Sequence, residues 1–278
     1  MPELPEVETI AAGLRRRAVG LVIDDIRLFL PKLLRGGTPS GLATLRGRRV
    51  SAISRRGKHL IVSCEGGLSL IFHLKMTGQF LWEERRSPRD KHTHLLFRFR
   101  DGSRELRFRD VRKFGFVRCL ETASLGSSAE LAALGPEPLE IGRDDFARRI
   151  AGRRGRLKSL LLDQTFLAGI GNIYADEILH RSRLHPLTRA EALRPEEAGK
   201  LWSAMGAILR RAVEAGGSSI RDYKDDEGSE GSFQLDHRVY GREGRPCRRC
   251  GTAVVRNVVG GRSTFFCPRC QKRRRSSN

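Results

Sequence analysis

The chain has 278 residues, and 53 lysines and arginines against 32 aspartates and glutamates give it a formal charge of +21. That length suggests about two domains with real cores, and so large a basic excess points to a polyanionic partner, most often nucleic acid. No apolar run reaches the ~18 residues of a membrane span. The opening segment, with Glu3, Glu6 and Glu8, lacks the apolar stretch of a signal peptide, so neither a membrane-embedded nor an exported protein is expected.

The chain begins Met1-Pro2-Glu3-Leu4-Pro5-Glu6-Val7-Glu8. Methionine before a small residue such as proline is normally trimmed, which leaves Pro2 with a free secondary amine. An α-amino group titrates near pH ~7.7–8.0, so part of it is unprotonated at neutral pH and able to attack an electrophilic carbon. Glu3 and Glu6 stand within reach as acid/base groups. The plainer alternative is a helix entry, with Pro5 in the first turn and the acids complementing the dipole. From Pro5 to Val19 the apolar residues Val7, Ile10, Ala11, Leu14 and Ala18 recur at helical spacing up to Gly20.

A strand-rich stretch follows. Residues 59–64 and 68–74 around Glu65-Gly66-Gly67 read as a hairpin, as do 95–100 and 104–108 around Asp101-Gly102-Ser103. In the second, phenylalanines and leucines alternate with arginines, which predicts one apolar and one basic face. Cys64 and Cys119 sit singly among apolar residues and read as reduced core cysteines. Gly135-Pro136-Glu137-Pro138 is a stiff break, taken as the domain boundary. Beyond it the pattern is helical over 146–150, 157–166, 172–181 and 195–215, the last ended by Gly216-Gly217. The turn Gly169-Ile170-Gly171-Asn172 joins two of these helices and suits either a phosphate at a helix N-terminus capped by Asn172 or a simple packing corner. A Gly-, Ser- and Asp-rich loop spans 222–232.

Cys247-x2-Cys250-x16-Cys267-x2-Cys270 has two-knuckle zinc spacing. Four thiolates close a tetrahedral site, so one structural Zn²⁺ is expected, and a module this small must draw much of its folding energy from the metal. Arg256 and Arg262 between the knuckles suit a nucleic-acid groove.

The opening segment, the Gly169–Ala175 turn and the four-cysteine module, in that order, resemble the formamidopyrimidine-DNA glycosylase family. Gly57-Lys58, His73-Leu74-Lys75-Met76-Thr77-Gly78, Asp110-Val111-Arg112-Lys113-Phe114-Gly115, Leu134–Leu139 and Val239–Arg242 carry the resemblance through the whole chain. It implies an α+β multidomain fold: an N-terminal β-sandwich flanked by helices (1–134), a helix-two-turns-helix domain with a lesion-covering loop (135–237), and a zinc hairpin with a basic tail (238–278). It implies a bifunctional DNA glycosylase/AP lyase of base-excision repair that flips out oxidised purines, 8-oxoguanine and formamidopyrimidines. Pro2 would attack C1′, form a Schiff base and cleave the strand by β,δ-elimination.

In this reading Glu3 shuttles protons, Glu6 supports the site and Lys58 binds a phosphate beside the lesion. Met76, Arg112 and Phe114 fill the space left by the flipped base. Lys158, Asn172 and Arg262 contact phosphates, and His73 and His94 lie near the DNA. The expected partner is double-stranded DNA carrying oxidised bases or abasic sites, bound in a basic cleft by a monomer in the bacterial cytoplasm. Val111, Lys113 and His237 depart from residues frequent in the family, and none of the three replaces a catalytic group. Two rivals remain: an endonuclease VIII type that removes oxidised pyrimidines, from which Leu4 differs, and a DNA-binding protein that keeps the fold without catalysis.

Overall fold

The computed structural model describes residues 1–36, 38–100, 102–219 and 230–273. The chain forms two compact units, Met1–Ala132 with Ala215–Ser232, and Ala133–Glu214 with Phe233–Asn278. The contiguous division at 134/135 and 237/238 read from the sequence thus acquires an excursion: Ala215–Ser232 leaves the helical domain and joins the first unit.

In the first unit, helix α1 (Leu4–Ala18) starts with a capping box in which the Glu3 N–H donates to Glu6 Oε2 at 2.7 Å. Its arginines gather in the last turn, where they complement the dipole. The predicted apolar stripe is buried as a set. Strand β1 (Ile23–Leu28) and the short helix α2 (Pro39–Ala43) precede β2 (Val50–Arg56), β3 (His59–Cys64), β4 (Leu68–His73), β5 (Gly78–Glu84), β6 (Thr93–Phe99), β7 (Arg104–Asp110) and β8 (Phe116–Glu121). They form two four-stranded antiparallel sheets, β1-β6-β7-β5 and β2-β3-β4-β8. The inner faces of both sheets, with Phe72, Phe80, Phe97 and Phe108, and the apolar side of α1 make one core, so the expected β-sandwich is present. Both predicted hairpins form.

The expected basic face on β6–β7 is largely neutralised. Arg98 and Arg107 both pair with buried Glu105 at 2.9 and 2.8 Å, and Arg109 pairs with Asp90. Arg107 is itself buried and donates to the carbonyls of Ser87 and Pro88. Charge buried without a partner is costly, so acids and carbonyls converge on these guanidinium groups.

The second unit holds α3 (Arg143–Ala151), α4 (Leu157–Leu162), α5 (Asn172–Ser182), α6 (Pro195–Glu214) and the hairpin β9 (Val255–Val259) and β10 (Arg262–Phe266). Helix α4 ends at Leu162, short of the predicted Phe166. Asp163 Oδ1 captures the Thr165 N–H and hydroxyl at 2.9 and 2.7 Å, while the Gln164 amide bridges the Gly169 N–H and the Ile170 carbonyl. These side chains give the backbone a better alternative to another helical turn. The tight connection they build joins α4 to α5. Among the described residues no helix is long and apolar enough to cross a membrane.

Candidate functional site

Pro2 lies buried immediately before α1, behind the half-exposed Met1. With Met1 attached, the Pro2 nitrogen belongs to an amide and its lone pair is delocalised; removing Met1 makes it an amine. Glu3 and Glu6 are buried beside it, and Glu6 is fixed at both oxygens. Oε2 accepts from the Glu3 N–H at 2.7 Å, and Oε1 accepts from the Ser218 N–H at 2.8 Å. Gly217 makes the second contact feasible. Its φ of +80° belongs to the left-handed region, and a Cβ there would lie 2.8 Å from Glu6 Cγ and Oε1. The Gly231 backbone crowds the carbonyls of Gly216 and Gly217, its N–H donating to Ser219 Oγ at 2.9 Å. In the sequence Gly216-Gly217 marks only a helix stop; the contact to Glu6 spans 212 positions and carries no local signal. Of the predicted 222–232 loop, residues 222–229 fall outside the described part of the chain.

Lys58 follows Gly57 at the turn between β2 and β3 and is buried. The neighbouring residue His59 packs edge-on against His73, ring centroids 4.7 Å apart, and Phe116 covers both. Arg35 stacks on Phe116 at 3.9 Å. Burial lowers the His59 imidazole to about 4 and that of His73 to about 2, and the charges of Lys58 and Lys75 push the same way. Both rings are therefore neutral at ordinary pH. His73 Nδ1 accepts the Lys75 N–H at 2.9 Å, which helps hold Lys75 at its φ of 52°.

Met76, Arg112 and Phe114 come together although two connections supply them. Arg112 Nη1 meets Met76 Sδ at 3.0 Å, and the guanidinium lies 4.9 Å from the Phe114 ring centroid. Met76 is 39% and Phe114 52% exposed. An apolar, an aromatic and a cationic side chain thus stand out from the surface as one cluster. His94 does not join it: it is buried, and its Nε2 donates to the Asp110 carbonyl at 2.8 Å. Burial holds its pKa below the ordinary histidine range, consistent with a neutral ring that braces this loop from behind.

In the second unit, Lys158 is wholly buried and its ammonium pairs with Asp176 Oδ1, with the Asn172 carbonyl at 3.3 Å. The residue read as a phosphate contact is turned inward, because an acid one helical turn into α5 claims its charge. Asn172 is not the helix cap either; Gly171 holds that place. The Asn172 amide instead donates to the Ser263 carbonyl at 2.9 Å, and Asp176 Oδ2 accepts the Phe265 N–H at 3.0 Å. Both bonds tie α5 to β10. Arg262, the first residue of β10, is exposed beside the Gly260-Gly261 turn. Glu177, which sequence reading passed over, is buried and accepts the N–H groups of Arg238, Val239 and Tyr240 at 2.9–3.1 Å. Burial pushes Asp176 up to about 7 and raises Glu177, against the pull of these donors.

The Sγ atoms of Cys247, Cys250, Cys267 and Cys270 lie within 4.8 Å of one another. The pairs Cys250–Cys267 and Cys247–Cys270 are 3.5 and 4.0 Å apart. A tetrahedron with Zn–S bonds of ~2.3 Å has edges of ~3.8 Å, so the four thiols fit one zinc ion with no open position. The site is structural.

The chain matches the model of the formamidopyrimidine-DNA glycosylase N-terminal domain over residues 1–117, that family's H2TH domain over 134–224, and the zinc finger found in FPG and IleRS over 244–273. It is 47% identical to the formamidopyrimidine-DNA glycosylases of Heliobacterium modesticaldum and Solibacter usitatus, over 98% of this chain and all of each relative. Among solved structures, the Lactococcus lactis enzyme bound to DNA containing an abasic site superposes with a TM-score of 0.91 at 37% identity. A mutant of that enzyme bound to Fapy-dG DNA gives 0.92 at 36%, and each comparison covers 98% of this chain and 100% of the other. The chain belongs to the formamidopyrimidine-DNA glycosylase family and is a DNA glycosylase/AP lyase of base-excision repair.

Proposed function

We propose that, once Met1 is removed, the Pro2 amine displaces an oxidised purine from its deoxyribose in duplex DNA and then cleaves the strand. The amine lone pair attacks C1′ as the C1′–N bond to the base breaks; the departing base carries its electron pair away and takes up a proton, matched by the one the Pro2 nitrogen gives up. Ring opening, with a proton delivered to O4′ by Glu3, leaves an iminium linking Pro2 to C1′. The iminium acidifies the C2′ proton; Glu3, now a carboxylate, removes it and the 3′-phosphate leaves, after which loss of the C4′ proton from the resulting conjugated imine expels the 5′-phosphate. Glu6, fixed between the N–H groups of Glu3 and Ser218, holds the start of α1 in place for this attack. Lys58 binds the phosphate beside the lesion, and its charge keeps the Pro2 amine deprotonated.

The observation that carries this reading is the burial of Pro2 beside two acids, one of them immobilised by a donor 212 positions away in the chain. Duplex binding alone requires neither a buried terminal imino acid nor an adjacent acid. Met76, Arg112 and Phe114 supply what flipping requires: an apolar wedge, a stacking plane and a guanidinium for the orphaned base. Arg262 supplies a phosphate contact; Asn172, whose amide donates to the Ser263 carbonyl, holds β10 in place for it. Lys158, paired with Asp176 in the interior, acts by setting the start of α5 and not by touching DNA. The substrates are duplexes carrying 8-oxoguanine, formamidopyrimidines or abasic sites.

Borohydride trapping on a duplex with 8-oxoguanine opposite cytosine tests the reading. A crosslink located on Pro2 is the expected result. Trapping only on an oxidised-pyrimidine duplex would shift the substrate class; the L. lactis relative has been solved with an oxidised-pyrimidine DNA as well as with Fapy-dG DNA. Tight binding with no crosslink on either duplex would mean a binding protein.

A further inference from the structure

We propose that Asp110 is the positioning residue of the base-displacing wedge, joining its two connections into one rigid insert; this rests on Met76, Arg112 and Phe114 acting as that wedge. The three side chains come from separate stretches, one leading into β5 and the other running from β7 to β8. Loops of this kind are among the more mobile parts of a protein, yet a wedge must enter the base stack as a unit.

One carboxylate joins the two connections. Asp110 is fully buried. Its Oδ1 accepts the Thr77 hydroxyl, from the residue after Met76, and the Arg112 N–H at 3.2 Å. The Thr77 oxygen in turn accepts the same Arg112 N–H at 3.1 Å, closing a three-membered ring of bonds across the two connections. Oδ2 accepts the Gly115 N–H at 2.7 Å, just past Phe114. The backbone carbonyl of Asp110 takes the His94 Nε2–H at 2.8 Å and the Lys113 N–H at 3.3 Å. Arg112 and Phe114 are thereby pinned on both sides of Lys113, whose φ of 57° marks the sharp reversal between them.

The room around this carboxylate is closed as well. A Cβ on Gly115 would lie 3.0 Å from Asp110 Oδ2 and 2.9 Å from the Phe108 ring. Hydrogen-bond donors from Thr77, Arg112 and Gly115 meet both of its oxygens. A turn that only had to close could do so with an exposed aspartate. A buried one, serving donors from both connections beneath an exposed Met76 and Phe114, fits a stiff joint under side chains that must push against stacked bases.

Both oxygens work as acceptors, so Asp110→Asn puts an amide donor against a backbone or hydroxyl donor. Thr77→Val keeps the shape and removes the bridging hydroxyl, and it is the variant of choice should Asp110→Asn fold poorly. The experiment measures two quantities on each variant. One is single-turnover excision of 8-oxoguanine from duplex DNA, with 2-aminopurine fluorescence reporting unstacking beside the lesion. The other is borohydride trapping on an abasic site in a single strand, where no stack has to be opened.

Both variants are expected to lose about tenfold or more in duplex excision, with a weaker fluorescence rise, while single-strand trapping stays within about twofold. Thr77→Ser, which restores the hydroxyl, recovers the duplex rate. Equal losses on both substrates, or no loss on the duplex, would overturn the positioning role. Met76→Ala and Phe114→Ala run alongside: if they also excise from the duplex at full rate, the wedge reading itself falls and this inference falls with it.

Discussion

Glu6 ties two distant parts of the chain together through one carboxylate. The sequence made it legible as an acid one turn after Glu3, and the family resemblance as a supporting residue. Its second partner, the Ser218 N–H, was not legible, because nothing local in Gly216-Gly217-Ser218 announces a contact 212 residues away. A Gly217→Ala substitution is both strained at φ +80° and short of space against Glu6. It should slow base excision by about tenfold or more with duplex affinity little changed; single-turnover kinetics beside a binding titration check this. The His59–His73 pair gives a second prediction. Both pKa values are depressed on folding, so the unfolded chain binds more protons as pH falls through the ordinary histidine value near ~6.5. Stability contributed by the neutral pair is complete above that pH and is lost progressively as pH falls from ~6.5 toward the folded value of about 4 for His59. Around the pair, Lys58, Lys75 and Arg35 reinforce the depression, whereas Glu130 opposes it at His59. Thermal melts between pH 7 and 4 should show the decline, and His59→Phe should flatten it; an unchanged slope in that variant would remove the pair from the account.

Among the elements, α5 does more than its sequence suggested. Apolar periodicity found the helix, and the Gly-rich turn marked its start, but the polar residues of its first two turns face protein partners. Asn172 and Asp176 hold β10, Glu177 holds the chain at 238–240, and Lys158 neutralises Asp176. The reason such roles escape a sequence reading is that a buried polar residue and a solvent-facing one look alike until the partner strand is placed. The zinc hairpin was legible from spacing alone, since four thiols so arranged suit a tetrahedral metal ion and little else. Its attachment to α5 yields a prediction. Chelating the zinc should abolish most duplex affinity, while borohydride trapping at saturating single-stranded abasic DNA persists; full affinity in the metal-free protein would contradict the hairpin's role. Glu177→Gln replaces one acceptor with a donor against three N–H groups and should lower the melting temperature by several degrees, since about 1–3 kcal/mol accompanies a buried polar group left unsatisfied.

For the whole molecule, the charge of +21 is the basic excess left after every acid is counted against a base, paired ones included. Arg55, Arg98, Arg107, Arg109 and Arg118 are committed to Glu8, Glu105, Asp90 and Glu130. That excess predicts strongly salt-dependent binding. About 6–10 phosphate contacts would cost roughly 10³–10⁵ in affinity between low and moderate salt, measurable by titrating a lesion duplex at several ionic strengths; a flat response would count against electrostatic capture. The expectation of about two domains came from length and the break at Gly135–Pro138, the hairpins and helices came from periodicity, and the sandwich came from the family resemblance. What did not follow was the return of Ala215–Ser232 to the first unit, because reading along a chain assumes that sequence neighbours stay in the same body.

That return has a consequence for how the enzyme can change. Gly217 and Gly231 meet backbone to backbone, and Ser219 bonds to Gly231, so the chain leaves this point and comes back to it at nearly one place. These contacts close the frame that presents the Ser218 N–H to Glu6. A side chain at Gly231 would press on the carbonyls that lead to Ser218 and so disturb Glu6 at the far end of the sequence; the start of α1 therefore answers to changes made where no local pattern connects them to it.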